Sequence, residues 1–392
     1  MTKLKKHVLL KKNEDRRINA GHPWVYSNEI RTVSGAPAIG DVVEIVTAGG
    51  HSLGIGFYNP YSLIAVRRLS PVVVEIDGVF FRQRIENALA VRRTMFGDAD
   101  AFRVVHGEGD FLPGLIVDRF GDSLVLQTYS YGMDSRLPVL CDVLEDLLSP
   151  RAIVERNESH TRTLEHLDLK TGILRGSVHP VEITEHGLRY TVDVLGGQKT
   201  GFFLDQRENR ITVRPFSKGA AVLDCFCNHG GFALNSAAAG ARSVTGLDVS
   251  AEAVAAGSVS AGRNGLPTVR FEQADVFIRL AELASEGRQF DVIVLDPPSF
   301  TRSRKNVYSA KLGYKELHRL ALQVLSPGGI LLTSSCSHHI EPAVFLKIVD
   351  DAARLAGRPL QMLDWRGASP DHPTLPSVPE TRYLKFGIFR VN

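Results

Sequence analysis

Residues 290–300 read FDVIVLDPPSF, an apolar run closed by Asp296-Pro297-Pro298-Ser299-Phe300. A short, largely apolar segment bounded by turn residues is the pattern of a strand covered on both faces, as in a parallel sheet. Proline fixes its own φ and restricts its predecessor, so an acid followed by two prolines makes a stiff, extended loop. Such a loop offers the Asp296 carboxylate, a carbonyl and the Phe300 ring to a flat ligand. A second apolar run, Gly329 to Ser335 (GILLTSS), leads straight into Cys336. In an open α/β sheet both strand ends face the crevice where ligands bind. An ionised cysteine there is a potent nucleophile, and the pair predicts covalent catalysis on a base.

Outward from these strands, residues 191–392 alternate strand and helix. Strands are expected at Ala221 to Leu223, Ser243 to Leu247, Val269 to Phe271, Phe290 to Leu295 and Ile330 to Ser334. Helices are expected over Ala251 to Arg263 and Tyr314 to Leu325. The alternation predicts a doubly wound, largely parallel α/β sheet. Residues 72–190 read as a central α+β domain, with helices over Phe80 to Phe96 and Leu137 to Leu148. Residues 1–71 carry short strands between Gly and Asn-Pro turns, the pattern of a small β-barrel. Its leading segment holds Lys3, Lys5, Lys6, Lys11, Lys12, Arg16 and Arg17 against Glu14 and Asp15. A basic arm before a barrel suits RNA, and Trp24 supplies a stacking surface or a core anchor.

The 392 residues suggest two or three domains, and 44% hydrophobic with 23% charged residues is the balance of an ordinary soluble protein. A net charge of +3 does not by itself imply nucleic acid. Four cysteines make no disulfide framework, and no membrane span or signal core is visible, so a cytoplasmic location is expected.

The first strand of the parallel sheet ends in Asp224-Cys-Phe226-Cys-Asn-His-Gly230-Gly231. Glycine at a strand-to-helix turn admits close ligand approach, but this is not Gly-x-Gly-x-x-Gly, so a dinucleotide loses ground. Asp248 ends the next strand, where it can accept from a ribose diol. Asp275 follows the third as an adenine-edge partner or a helix cap. Three acids in order, then Asp-Pro-Pro, match an S-adenosylmethionine-binding sheet.

Gln198 to Arg207 (QKTGFFLDQR), Asp224 to Phe232, Asp296 to Phe300 and Ser334-Ser-Cys-Ser337 resemble the RlmI-type large-subunit rRNA cytosine methyltransferases. His22-Pro-Trp24 and Gly40-Asp-Val resemble that family's N-terminal PUA module, and His106 to Arg119 its middle domain. The resemblance covers nearly the whole chain. It implies a Rossmann-like class I methyltransferase sheet, and methylation of cytosine carbon 5 in 23S rRNA or a large-subunit precursor. It implies that residues 199–206 close over the cofactor, with Phe203, Asp205, Gln206, Arg207, Asp224, Phe226, Gly230, Asp248 and Asp275 in its pocket. It gives Cys336 the role of nucleophile at carbon 6, with Asp296 hydrogen-bonding the ring. Asn228-His229 departs from the family's usual pair. Pro298-Ser299 occupies the place where some relatives carry a second cysteine.

Cys225 and Cys227 are expected to pack or to line the cofactor pocket. Cys-x-Cys with distant histidines lacks metal-ligand spacing, so no metal is expected. His338 and His339 are expected to cap the following helix or meet phosphate. Arg302, Arg304, Lys305, Lys311, Lys315 and Arg319, read as a loop beyond Pro297, Pro298 and Phe300, predict a clamp on RNA phosphates. Competing readings are methylation of an RNA amine or of uracil carbon 5, or a non-catalytic RNA-binding assembly factor. A homodimer is compatible with all of them.

Overall fold

The computed structural model describes residues 5–197, 199–301 and 303–392; Lys3, Gln198, Arg302 and the Arg304 side chain lie outside what is described. The chain folds as two compact units. The first comprises Met1–Ile183, Val192–Leu204 and Pro370–Thr381, and the second Thr184–Thr191, Asp205–Ser369 and Arg382–Asn392.

The first unit opens with a six-stranded sheet around Val8, Leu10, Val25, Val43, Ile45 and Val66. The basic leading segment is no arm from His7 onward. His7–Leu10 is a strand, antiparallel to Ile30–Ser34 on one side and parallel to Val42–Val46 on the other. Its alternation, with Val8 and Leu10 wholly buried, draws it into the sheet. A five-stranded sheet follows, packed against helices Gly78–Phe96 and Leu137–Leu148. The acids of the His106-to-Arg119 motif are used internally. Asp110 takes a two-pronged bond from the buried Arg92, and Asp118 takes one from Arg103.

In the second unit the strands are β1 (Ala221–Cys225), β2 (Ser243–Asp248), β3 (Val269–Gln273), β4 (Phe290–Leu295), β5 (Leu325–Ser335), β6 (Leu360–Arg366) and β7 (Lys385–Val391). They lie in the order β3-β2-β1-β4-β5-β7-β6. The pairings from β3 through β5 are parallel, and β7 runs antiparallel to both β5 and β6. Period-2 alternation divides each central strand between two cores. Leu223, Ile293, Leu295 and Leu331 pack on one face, and Val222, Val292, Val294 and Leu332 on the other. A largely apolar strand such as 290–295, with Asp291 its one polar residue, suits this place, because helices cover both sides. The order of strands reverses beside β1, where β4 takes over from β2, and this switch point opens the crevice at the carboxyl edge.

Two departures from the sequence reading matter for the site. The helix expected from Tyr314 begins at Val307 and runs to Val324, so Lys311, Lys315 and Arg319 are helical and not in a loop. Buried Ala310, Tyr314, Leu317, Ala321 and Val324 continue one face through Gly313, whose bare Cα lets the Phe300 ring come close. Strands β6 and β7 are additional to those the sequence revealed. Gly387 interrupts the pattern of β7 because a side chain there would meet the Phe389 ring at 2.5 Å.

Candidate active site at the carboxyl edge

Asp224, next to the last residue of β1, is wholly buried. Its Oδ2 accepts from the Ala233 N–H at 2.9 Å, while Oδ1 is buried with no hydrogen-bond partner among the described residues. Burial, and then the charges of Asp296 and Asp248, push this carboxyl well above the usual range. A buried acceptor without a donor is a place prepared for a ligand's N–H.

The loop that follows is strained. Phe226 and Asn228, both non-glycine, have φ of 62° and 46°, a cost of roughly 1–3 kcal/mol each. The Asn228 N–H donates to Asp248 Oδ2 at 2.9 Å, and Ser250 N–H donates to Oδ1 at 3.0 Å, so Asp248 stitches the loop to the end of β2. Gly230 begins the next helix at φ 79°; a Cβ there would lie 2.4 Å from the Phe271 ring, which fills that space. Gly230 therefore serves through its backbone. Asp275 is a helix cap, with Oδ1 accepting from Phe277 N–H at 2.9 Å and Ile278 N–H at 3.2 Å. Two exposed apolar side chains flank these acids, Val249 at 69% and Ile278 at 62% exposure. Sequence reasoning missed both; an aliphatic residue close behind each acid was the available signal.

Gln206 and Asp205 are buried and tie distant segments together. Gln206 Nε2 donates to Asp296 Oδ1 at 2.8 Å, and Asp205 Oδ2 accepts from the Tyr383 hydroxyl at 2.6 Å. Arg207, also buried, lies 3.5 Å from Glu208. The Ser334 hydroxyl also donates to Asp296 Oδ1, so β5 and the Asp-Pro-Pro loop are joined directly. Pro297 is buried and Pro298 exposed. The Phe300 ring lies 4.5 Å from that of Tyr314. A chain of hydroxyls surrounds the Cys336 backbone. Ser299 Oγ is 2.9 Å from Ser337 Oγ, Tyr314 OH is 3.0 Å from Ser337 Oγ, and Ser335 Oγ donates to Tyr314 OH at 3.0 Å. Burial pushes the Tyr314 phenol up, so it keeps its proton.

Cys336 is the one half-buried cysteine of four; Cys141, Cys225 and Cys227 are buried. Burial pushes all three of those thiols up, Cys141 to about 11, which leaves them inert. Lys385, at the start of β7 and 3% exposed, donates to Ser337 O at 2.6 Å and Tyr383 O at 2.7 Å. Sequence reasoning missed Tyr383 and Lys385, although their spacing by two places both on one side of an extended chain. His338 and His339 do not cap the next helix. Its cap position is Glu341, without a side-chain bond, and the His338 ring lies 5.5 Å from that of Tyr383.

Lys305 is exposed in the turn Arg304–Asn306, and Tyr308 beside it is 75% exposed. Arg319 is held by Glu316 at 2.6 Å. Phe203 and Trp24 belong to the first unit. The Lys199 ammonium lies 4.2 Å from the Phe203 ring centre. The Trp24 indole N–H donates to Glu108 at 2.8 Å beneath the Arg67 guanidinium. Among the described residues no three His, Cys, Asp or Glu side chains converge as metal ligands, and no helix is long and apolar enough to cross a membrane.

Residues 8–71 match the model of a PUA-like domain, and residues 103–390 that of an S-adenosylmethionine-dependent methyltransferase. The chain is 40% identical to the Ribosomal RNA large subunit methyltransferase I of Shewanella denitrificans, over 98% of this chain and 99% of that one. Identity to the Klebsiella pneumoniae protein of the same name is 37%, over 96% of each. Among solved structures, a Streptococcus mutans chain assigned as a methyltransferase superposes with a TM-score of 0.84 at 20% identity, covering 98% of this chain and 99% of that one. Another methyltransferase structure, complexed with SAH, superposes at 0.85 and 20%, with the same coverage.

Proposed function

The chain belongs to the ribosomal RNA large subunit methyltransferase I family and is an S-adenosylmethionine-dependent RNA methyltransferase; on that premise we propose that it methylates carbon 5 of a cytosine in 23S rRNA, through a Cys336 thiolate, in the cytoplasm. The observation that carries this reading is the joining of Cys336 and Asp296 across two strand ends, by the bonds Ser334 to Asp296 and Ser299 to Ser337. Methylation of an amine needs no cysteine at that edge.

S-adenosylmethionine, when bound, supplies an electrophilic methyl on a sulfonium sulfur. The residues present fit it. The orphan Oδ1 of Asp224 suits its ammonium, Asp248 its ribose diol, and Val249 with Ile278 the faces of adenine. Asp275, with both cap bonds on Oδ1, keeps Oδ2 for the adenine amine. Asp205, Arg207, Phe226 and the backbone of Gly230 complete the proposed pocket. Gln206 orients Asp296, whose carboxylate accepts from the exocyclic amine of cytosine; uracil offers a carbonyl there and would be repelled. Cys336 adds to carbon 6, raising electron density at carbon 5. After methyl transfer, loss of the carbon-5 proton restores the ring double bond and returns the sulfur's electron pair. Lys305, Arg302 and Arg304, with exposed Tyr308 as an aromatic face, suit the RNA backbone around the target, and Pro297, Pro298 and Phe300 shape the base pocket.

Mass mapping of an rRNA transcript methylated by the purified enzyme tests the reading: 5-methylcytidine is expected, and an N-methylated base would overturn it. Asp248→Ala is expected to weaken cofactor binding by about 1–3 kcal/mol; unchanged affinity in calorimetry removes that assignment. On the first unit, Lys12 and Arg16 are exposed. Changing both to glutamate should weaken RNA binding and reduce its salt slope by ~0.7 for each phosphate no longer neutralised. An unchanged slope would mean that this edge does not touch RNA.

A further inference from the structure

Lys385 is a buried cation that the reaction outlined above does not use. Its backbone pairs with Ser335 in the antiparallel register of β5 and β7, one residue before Cys336. Its side chain is 3% exposed, and no carboxylate lies within ion-pair distance among the described residues. Two of its three N–H bonds go to the Ser337 and Tyr383 carbonyls, at 2.6 and 2.7 Å. A buried ammonium satisfied only by neutral carbonyls is costly unless an anion is near. Cys336 lies next to Ser337, whose carbonyl fixes the ammonium, and can become that anion.

We propose that Lys385 is a positioning residue whose ammonium, anchored on the Ser337 and Tyr383 carbonyls, holds Cys336 as a thiolate before the base arrives. The proposal rests on Cys336 being the nucleophile. The thiol proton leaves to solvent, the sulfur lone pair then forms the bond to carbon 6, and that pair returns to sulfur on elimination. Lys385 keeps its proton throughout and faces a negative sulfur at both ends of the cycle.

The charges around Lys385 agree with this. Burial lowers its pKa to about 8, while Cys336 and then Glu341 oppose the fall. Burial is the main weight against protonation of His338, and the Lys385 charge and then His339 add to it. The Tyr314 phenol, whose pKa burial raises, bonds the hydroxyl of Ser337, the residue whose carbonyl anchors Lys385. A folded pKa below the ordinary lysine value means that the cation is present at neutral pH and is lost as pH rises through about 8. The thiolate therefore has its partner in the range where an isolated thiol, of pKa ~8.5, stays mostly protonated.

The test follows iodoacetamide alkylation of Cys336 in the full-length enzyme as a function of pH, with the modified peptide located by mass. The wild-type midpoint should lie at least one unit below an ordinary thiol. Lys385→Met should raise it and slow alkylation at pH 7 by about tenfold or more, while Lys385→Arg should keep it low. A wild-type midpoint at or above the ordinary thiol value overturns the proposal even if Lys385→Met fails to fold. An unchanged midpoint in a folded Lys385→Met protein overturns it too. Because alkylation needs no RNA, this outcome is separate from the nucleophile itself, which Cys336→Ser turnover decides.

Discussion

Cys336→Ser is expected to lower methyl transfer by on the order of 10³-fold or more while leaving S-adenosylmethionine affinity at the wild-type level. Serine preserves the size of the side chain, but its hydroxyl hardly ionises near neutral pH and adds poorly to carbon 6. Cofactor affinity is spared because the proposed pocket is built on Asp224, Asp248 and the turn between Cys225 and Gly231. Wild-type enzyme should also trap RNA bearing 5-fluorocytidine, since fluorine at carbon 5 blocks the elimination that would free the sulfur. Cys225 and Cys227, buried with thiols pushed upward, cannot substitute. Near-normal turnover by Cys336→Ser, or an adduct mapped to Cys225 or Cys227, would end the covalent reading and leave amine methylation in its place.

Asp296→Asn should reduce turnover by about 10²–10³-fold with a smaller effect on RNA affinity, and should narrow the preference for cytosine over uracil. The carboxylate is preset, because Gln206 and Ser334 both donate to Oδ1 and hold the plane of the group. An asparagine replaces one acceptor by a donor, which uracil's carbonyl can meet and cytosine's amine cannot. Transcripts carrying cytidine or uridine at the target give the comparison. Equal loss on both would mean that Asp296 does not read the base, and unaltered turnover on cytidine would remove it from the site.

Much of this site is legible in the residue order, for local reasons. The short runs at 221–225, 243–248 and 290–295 favour strands of a covered parallel sheet, and the acids at or just past their ends come to one edge. Double proline after Asp296 stiffens its loop, and Cys336 follows an apolar strand directly. The helix over 307–324 extends well ahead of its expected start, because Gly313 looks like punctuation until the Phe300 ring that needs its space is seen. Strand β7 escapes sequence reasoning because Gly387 breaks its pattern for the sake of Phe389.

Residue order along the chain was enough for the five parallel strands, the edge where their acids lie and the choice of a candidate nucleophile, since each depends on patterns a few residues long. Partnerships across the sheet were a different matter. Gln206 reaching Asp296 over 90 positions, Tyr383 reaching Asp205 over 178, and Lys385 reaching the Ser337 carbonyl over 48 leave no periodic trace. They arise because β7 enters antiparallel beside β5 and brings the end of the chain to the edge where Cys336 sits. Hydrophobic burial selects that register, and the polar contacts that tune the site follow from it.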